Sequence, residues 1–120
     1  MILSFVLAAV GLLSGLNKFS GSKLATETPG HLDIPVGQYR LAGVMELLAA
    51  VGLVLAALGV VPEVLGAAAA FGFALLMAFA IGFHVRAGDG LTPAGPGEAG
   101  WAPAALVLLF SAVTGVLILV

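Results

Sequence analysis

Glu46 lies five residues inside an apolar stretch, 41–61, that is long enough to cross a membrane. A charged side chain at membrane depth costs roughly 2.5–3.5 kcal/mol on insertion scales unless it is paired or wetted. Two roles suit a carboxylate there. It is one half of an ion pair that pins helices together, or it belongs to a site that binds a ligand or moves a proton. Few groups can answer it. Asn17 and Lys18 close the first apolar stretch, Arg40 precedes the second, and His84 and Arg86 close the third. His84, whose side-chain type titrates near neutrality, suits a proton relay with Glu46; its plainer role is an interfacial histidine bonded to a loop carbonyl. Arg86 and Lys23 read as orientation charges, and Asp89, between two glycines, reads as a turn residue.

The surroundings of Glu46 are small: Gly43 three residues before it, Ala49 and Ala50 three and four after. Those positions share its helix face and leave room for another helix, a water or a ligand. On the third stretch, Phe73, Met77, Ala80 and His84 follow one another at helical spacing. Phe73 and Met77 read first as core and second as the lining of a pocket. His31, Asp33, Glu46 and His84 carry metal-compatible donors, but no local spacing matches a metal motif, and no metal site is expected. No phosphate loop, nucleophile elbow or catalytic triad is present.

The elements that must position these groups follow from composition. The 120 residues are 62% hydrophobic and 8% charged, against about 25% charged in soluble domains. That is too little polar surface for a water-soluble globule. Four apolar segments are expected at residues 2–19, 41–61, 64–84 and 102–120, as helices, because their apolar runs are continuous and too long for barrel strands. The fold class is therefore all-α: a polytopic membrane protein, one domain, an antiparallel bundle of four transmembrane helices. The segment 1–16 resembles a signal peptide in hydropathy but lacks a basic leader and a clear cleavage site, and is read as a retained first helix. Pro62 and Glu63 alone separate spans two and three. Pro103 is expected to open the last helix, with Trp101 at the interface.

The long connections 20–40 and 85–101, the latter rich in glycine and proline, hold Lys23, Arg40 and Arg86, and with Lys18 at the end of span one their side carries all four basic residues. By the positive-inside rule both long loops face the cytoplasm and both termini lie outside. Small residues at packing spacing, Gly11 with Gly15, Ala68 with Gly72 and the stripe Ala42, Ala49, Ala56, read as close contacts within the bundle, or else as a homodimer face. The net charge of −2 argues against a nucleic-acid partner. The absence of cysteine excludes disulfides, thiol–disulfide catalysis and cysteine-bound clusters.

Several of these residues together resemble a known pattern. Arg40 to Leu47 with Gly43 and Glu46, then Gly52 and Leu53, then Leu75 to Ala78 leading to His84, Arg86, Gly88 and Asp89, resemble the DoxX-like family of small four-helix bacterial membrane proteins. The first span, ending Gly15, Asn17, Lys18, Phe19 and Gly21, is similar to the first helix of that family. The resemblance covers about residues 10–90; the Gly/Pro loop after Ala87 is less typical. It implies a bacterial plasma membrane location and a link to membrane redox complexes, the family name coming from a subunit of a thiosulfate:quinone oxidoreductase. It also implies a polar site at Lys18, Arg40, Glu46 and His84.

The functional expectation is an accessory of a membrane redox complex, not an enzyme on its own. It would bind a quinone-like or other amphipathic molecule at Glu46, His84, Lys18, Arg40 and Asn17, with Gly43, Ala50, Phe73 and Met77 lining the pocket. Electrons would come from a partner protein, since the chain shows no haem, flavin or metal motif. The alternative is a membrane assembly protein or scaffold that docks on another membrane protein. A small transporter is less favoured, since broken helices and inverted repeats are not evident.

Overall fold

The computed structural model describes residues 2–21, 23–90 and 100–120, with the side chains of residues 23–25 outside that description. The stretch 91–99, which contains the expected loop residues Pro93 and Pro96, lies outside the described residues. The described residues form five helices and no strand: α1 (Ile2–Asn17), α2 (Lys23–His31), α3 (Val36–Ala57), α4 (Glu63–Arg86) and α5 (Ala102–Leu119). Three of them, α3, α4 and α5, are long and apolar enough to cross a membrane; α1 is apolar but has 16 residues.

The helices α1, α3, α4 and α5 overlap the expected apolar segments, but their ends follow backbone chemistry. Helix α3 starts five residues before its apolar run because Pro35, extended at ψ 143°, stands at its N-cap. It ends at Ala57, before the apolar run does. Gly59 adopts φ +77°, and the N–H groups of Gly59 and Val60 bond back to Ala56 and Leu55. This is a Schellman closure, which needs a left-handed residue after the helix. The connection to α4 is therefore residues 58–62, not Pro62 and Glu63 alone, and Pro62 is the N-cap of α4. Pro103 does open α5, after Trp101 as N-cap.

The first connection contains α2, which hydropathy does not reveal because the segment is short and polar. Its end is closed like that of α3, with Asp33 in the left-handed region at φ 55° and Ile34 N–H bonded to Pro29. Asp tolerates that conformation better than most residues.

Helix α1 packs on α3, α3 on α4 and α4 on α5, with a lighter α1–α5 contact; α2 rests on α3. Leu7, Ala8, Ala50, Leu53 and Ala70 form the central core. The outer surface is apolar: Leu48, Leu75, Phe79, Leu106 and Leu109 are each more than half exposed. In water such a surface would drive aggregation; in a bilayer it meets lipid. The molecule is a membrane-embedded, all-helical protein.

Candidate functional site

The site begins where α1 crosses α3. A Cβ on Gly15 would lie 2.8 Å from the carbonyl oxygen of Gly43, and one on Gly43 would lie 3.1 Å from the Gly15 oxygen and from Lys18 Cβ. A Cβ on Gly11 would meet the Phe73 ring at 2.7 Å and the Glu46 carbonyl oxygen at 3.1 Å. Only glycine allows this approach. It fills the room beside Glu46 with helix α1 and brings Lys18, one residue past the end of α1, onto the carboxylate. Lys18 Nζ lies 2.6 Å from Glu46 Oε1. Glu46 is 1% exposed and Lys18 15%. Of the three candidate cations, Lys18 is the one that pairs.

The rest of Lys18 is also engaged. Its ammonium donates to Ser14 Oγ at 3.1 Å, one helical turn back, and lies 5.4 Å from the centre of the Tyr39 ring. Tyr39 in turn is a hydrogen-bond partner of Thr28 on α2. The second carboxylate oxygen, Glu46 Oε2, is buried and has no hydrogen-bond partner among the described residues. Such an acceptor costs about 1–3 kcal/mol to bury, more when charged.

A cavity of about 460 Å³ opens beside this pair. Ser14, Asn17, Lys18 and Glu46 form its polar wall. Met45, Leu76, Met77, Phe79, Ala80 and Phe83 form an apolar wall, and Thr28, Leu32, Ile34 and Tyr39 close it on the α2 side. His84 lines it as well. A second cavity, of about 340 Å³, is lined by Ser4, Glu63 and Thr114 among others.

Helix α2 is held over the first cavity by the end of α4. Gly88, at φ +85°, closes α4 in a third closure of the same Schellman type, with Asp89 N–H bonded to the His84 carbonyl at 2.9 Å. That closure folds the Asp89 side chain back onto His84. His84 Nδ1 then lies 2.6 Å from Asp89 Oδ2, while His31 Nε2, from α2, lies 2.6 Å from Oδ1. An ionised carboxylate only accepts, so both ring nitrogens donate. The His84 hydrogen bond is the main cause that holds the Asp89 carboxyl below its ordinary range; burial opposes it, and His31 acts with His84. Arg86 adds a second fastening, donating to the carbonyls of Leu32 at 2.8 Å and Asp33 at 3.3 Å.

The structure thus brings Lys18, Glu46, Asn17, His84 and Met77 to one cavity. Arg40 is exposed and outside its wall. Gly43, Ala50 and Phe73 sit at the helix crossing and in the core instead; Ala50 and Phe73 are 0% exposed. His84 is bonded to a carboxylate, not to a loop carbonyl, and Arg86 fastens α2 in addition to carrying charge. Ser14, Tyr39, His31 and Asp89 were not legible as site residues. Ser14 offered a signal, being four residues before Lys18 on the same helix face. Among the described residues no group of three or more His, Asp or Glu side chains is arranged to hold a metal ion.

No curated protein and no solved structure matches the chain. The family model of the DoxX-like family matches residues 2–114, which spans α1 through most of α5 and includes every residue of the Lys18–Glu46 site. The chain belongs to the DoxX-like family.

Proposed function

We propose that this DoxX-like protein is a non-autonomous accessory of a membrane redox complex and binds a quinone-like or other amphipathic small molecule beside Glu46. The observation that carries the reading is the coincidence of the buried Lys18–Glu46 pair with a cavity that has an apolar wall of Met45, Leu76, Met77, Phe79 and Phe83. A purely structural ion pair would be packed dry, whereas this one borders a space of about 460 Å³. Small-molecule sites combine apolar walls with a few fixed polar groups in this way. Asn17 and His84 would complete the polar head site, and Met77 and Phe83 would hold the apolar part. His84, bonded through Nδ1 to Asp89, keeps Nε2 as its other ring nitrogen for proton exchange with a bound head group.

In this reading α1, α3, α4 and α5 form an antiparallel four-span bundle in a bacterial plasma membrane. The ends bearing Lys18, Arg40 and Arg86 face the cytoplasm and both termini lie outside. The exposed ring of leucines and phenylalanines contacts lipid and, over part of its area, the partner that supplies electrons.

The test is native mass spectrometry of protein extracted gently from its own membrane, wild type and Glu46→Gln, each shown to be folded. An amphipathic mass bound to the wild type and lost from the variant supports the site. Identical bulk lipid on both proteins shifts the function to docking or scaffolding.

A further inference from the structure

The cavity beside Glu46 says more about its occupant than that it is amphipathic. Lys18 directs its ammonium to Glu46 Oε1, to Ser14 Oγ and toward the face of Tyr39. It has three N–H donors, so none remains to lead recognition of an acceptor. Glu46 is the reverse. One oxygen is taken, and Oε2 is buried on a side chain 1% exposed, with no partner among the described residues. An ionised carboxylate oxygen can only accept. Within the ion pair, therefore, the group left to be answered is an acceptor, Glu46 Oε2.

Charge restricts the occupant further. The Lys18–Glu46 pair is compensated within itself. A second anion or cation at that depth would have no counter-charge, and uncompensated charge in an apolar site is costly. The facing wall of Met77, Phe79 and Phe83 suits a flat or aliphatic body.

We infer that the cavity selects a neutral amphipathic molecule whose head carries a hydroxyl donor, a phenol, hydroquinone or alcohol, and that the hydroxyl donates to Glu46 Oε2. This rests on the ligand-binding reading above and sharpens it: of a matched hydroxyl and carbonyl pair, the hydroxyl form is the one retained. A carbonyl head presents only acceptors to an acceptor and leaves Oε2 unsatisfied, and sites with a buried unpaired group discriminate strongly on that ground.

The experiment uses the full chain in nanodiscs and three probes with one tail: 4-hexylphenol, 4-hexylanisole and 4-hexylbenzoate. Binding is corrected for partition into protein-free nanodiscs. The phenol is expected to bind at least about tenfold tighter than its methyl ether, as a hydrogen bond to a charged acceptor allows, and tighter than the benzoate. In Glu46→Gln the phenol–ether ratio falls toward one, because the amide can donate to the ether as well as accept. Should Glu46→Gln not fold, Ala80→Phe, which fills the cavity away from the ion pair, is expected to abolish specific binding of the phenol. Equal binding of phenol and ether to the wild type, as when a water on Oε2 stays in place under both, overturns the donor inference and leaves the ligand site standing. No binding of any probe above partition overturns the ligand-binding reading itself.

Discussion

Glu46 and Lys18 are worth more together than either is alone. Removing Lys18 leaves a carboxylate at 1% exposure with neither oxygen compensated. Breaking a buried pair in this way costs about 3–5 kcal/mol, whereas replacing both partners by apolar residues of similar volume is often close to neutral. Lys18→Met is therefore expected to lower stability by about that amount. Lys18→Met with Glu46→Leu is expected to recover most of it, as read by unfolding in mixed detergent micelles. The double variant should fold and bind nothing, which separates staple from site. The candidate partner was legible in the sequence, since Lys18 is one of only four basic residues. The choice of Lys18 over Arg40 and Arg86 was not. It depends on how α1 is rotated on α3, which apolar composition leaves open.

At the scale of helices, the glycines divide by what they face. Gly15 touches the α3 backbone, and Gly72, on the outer face of α4, has nothing within 4 Å of a Cβ. Gly15→Val is expected to part α1 from α3, cost roughly 2 kcal/mol or more through overpacking, and separate Lys18 from Glu46. Gly72→Ala is expected to be neutral or to stabilise by up to about 1 kcal/mol through helix propensity. Thermal unfolding in detergent checks both. Sequence spacing marked the Gly11–Gly15 and the Ala68–Gly72 pairs alike as packing faces. The first packs inside the chain, and the second, with Ala68 and Gly72 both exposed, faces outward. Spacing alone cannot tell the two apart.

Helix α2 was illegible for another reason. Nine mostly polar residues carry little hydrophobic signal, and the segment is tied down by His31, Asp89 and Arg86 more than by packing. Its pH dependence follows from Asp89, whose carboxyl is held below the ordinary range. A depressed carboxyl stabilises the fold fully above its unfolded value, about pH 4, and that stabilisation is lost only as pH falls through the lower folded value. Amide exchange of α2 should thus stay slow at neutral and mildly acidic pH and quicken under strong acid. Asp89→Asn should quicken it at every pH; slow exchange in that variant would show that the clasp does not hold α2.

For the whole molecule, the apolar exterior and the family match place the chain in a membrane, and the proposed direction rests on the four basic residues. With no native cysteine, topology can be read from single introduced ones. Val60→Cys, between α3 and α4, is expected to react with an impermeant maleimide in intact cells. Gly30→Cys, on α2, is expected to react only after permeabilisation. The reverse pattern would turn the molecule over and place the mouth of the Glu46 cavity outside. The central claim, that this cavity holds an amphipathic ligand, is tested most directly by photoaffinity labelling in the bilayer. The probe is an alkylphenol with a diazirine on its ring, and the crosslinked residues are mapped by mass spectrometry. Labels concentrated on cavity residues such as Met45, Met77 and His84, competed by unlabelled phenol and lost in folded Glu46→Gln, are the predicted result. Labels spread over lipid-facing residues such as Leu48, Leu75 and Leu109, with no competition and no dependence on Glu46, would contradict it.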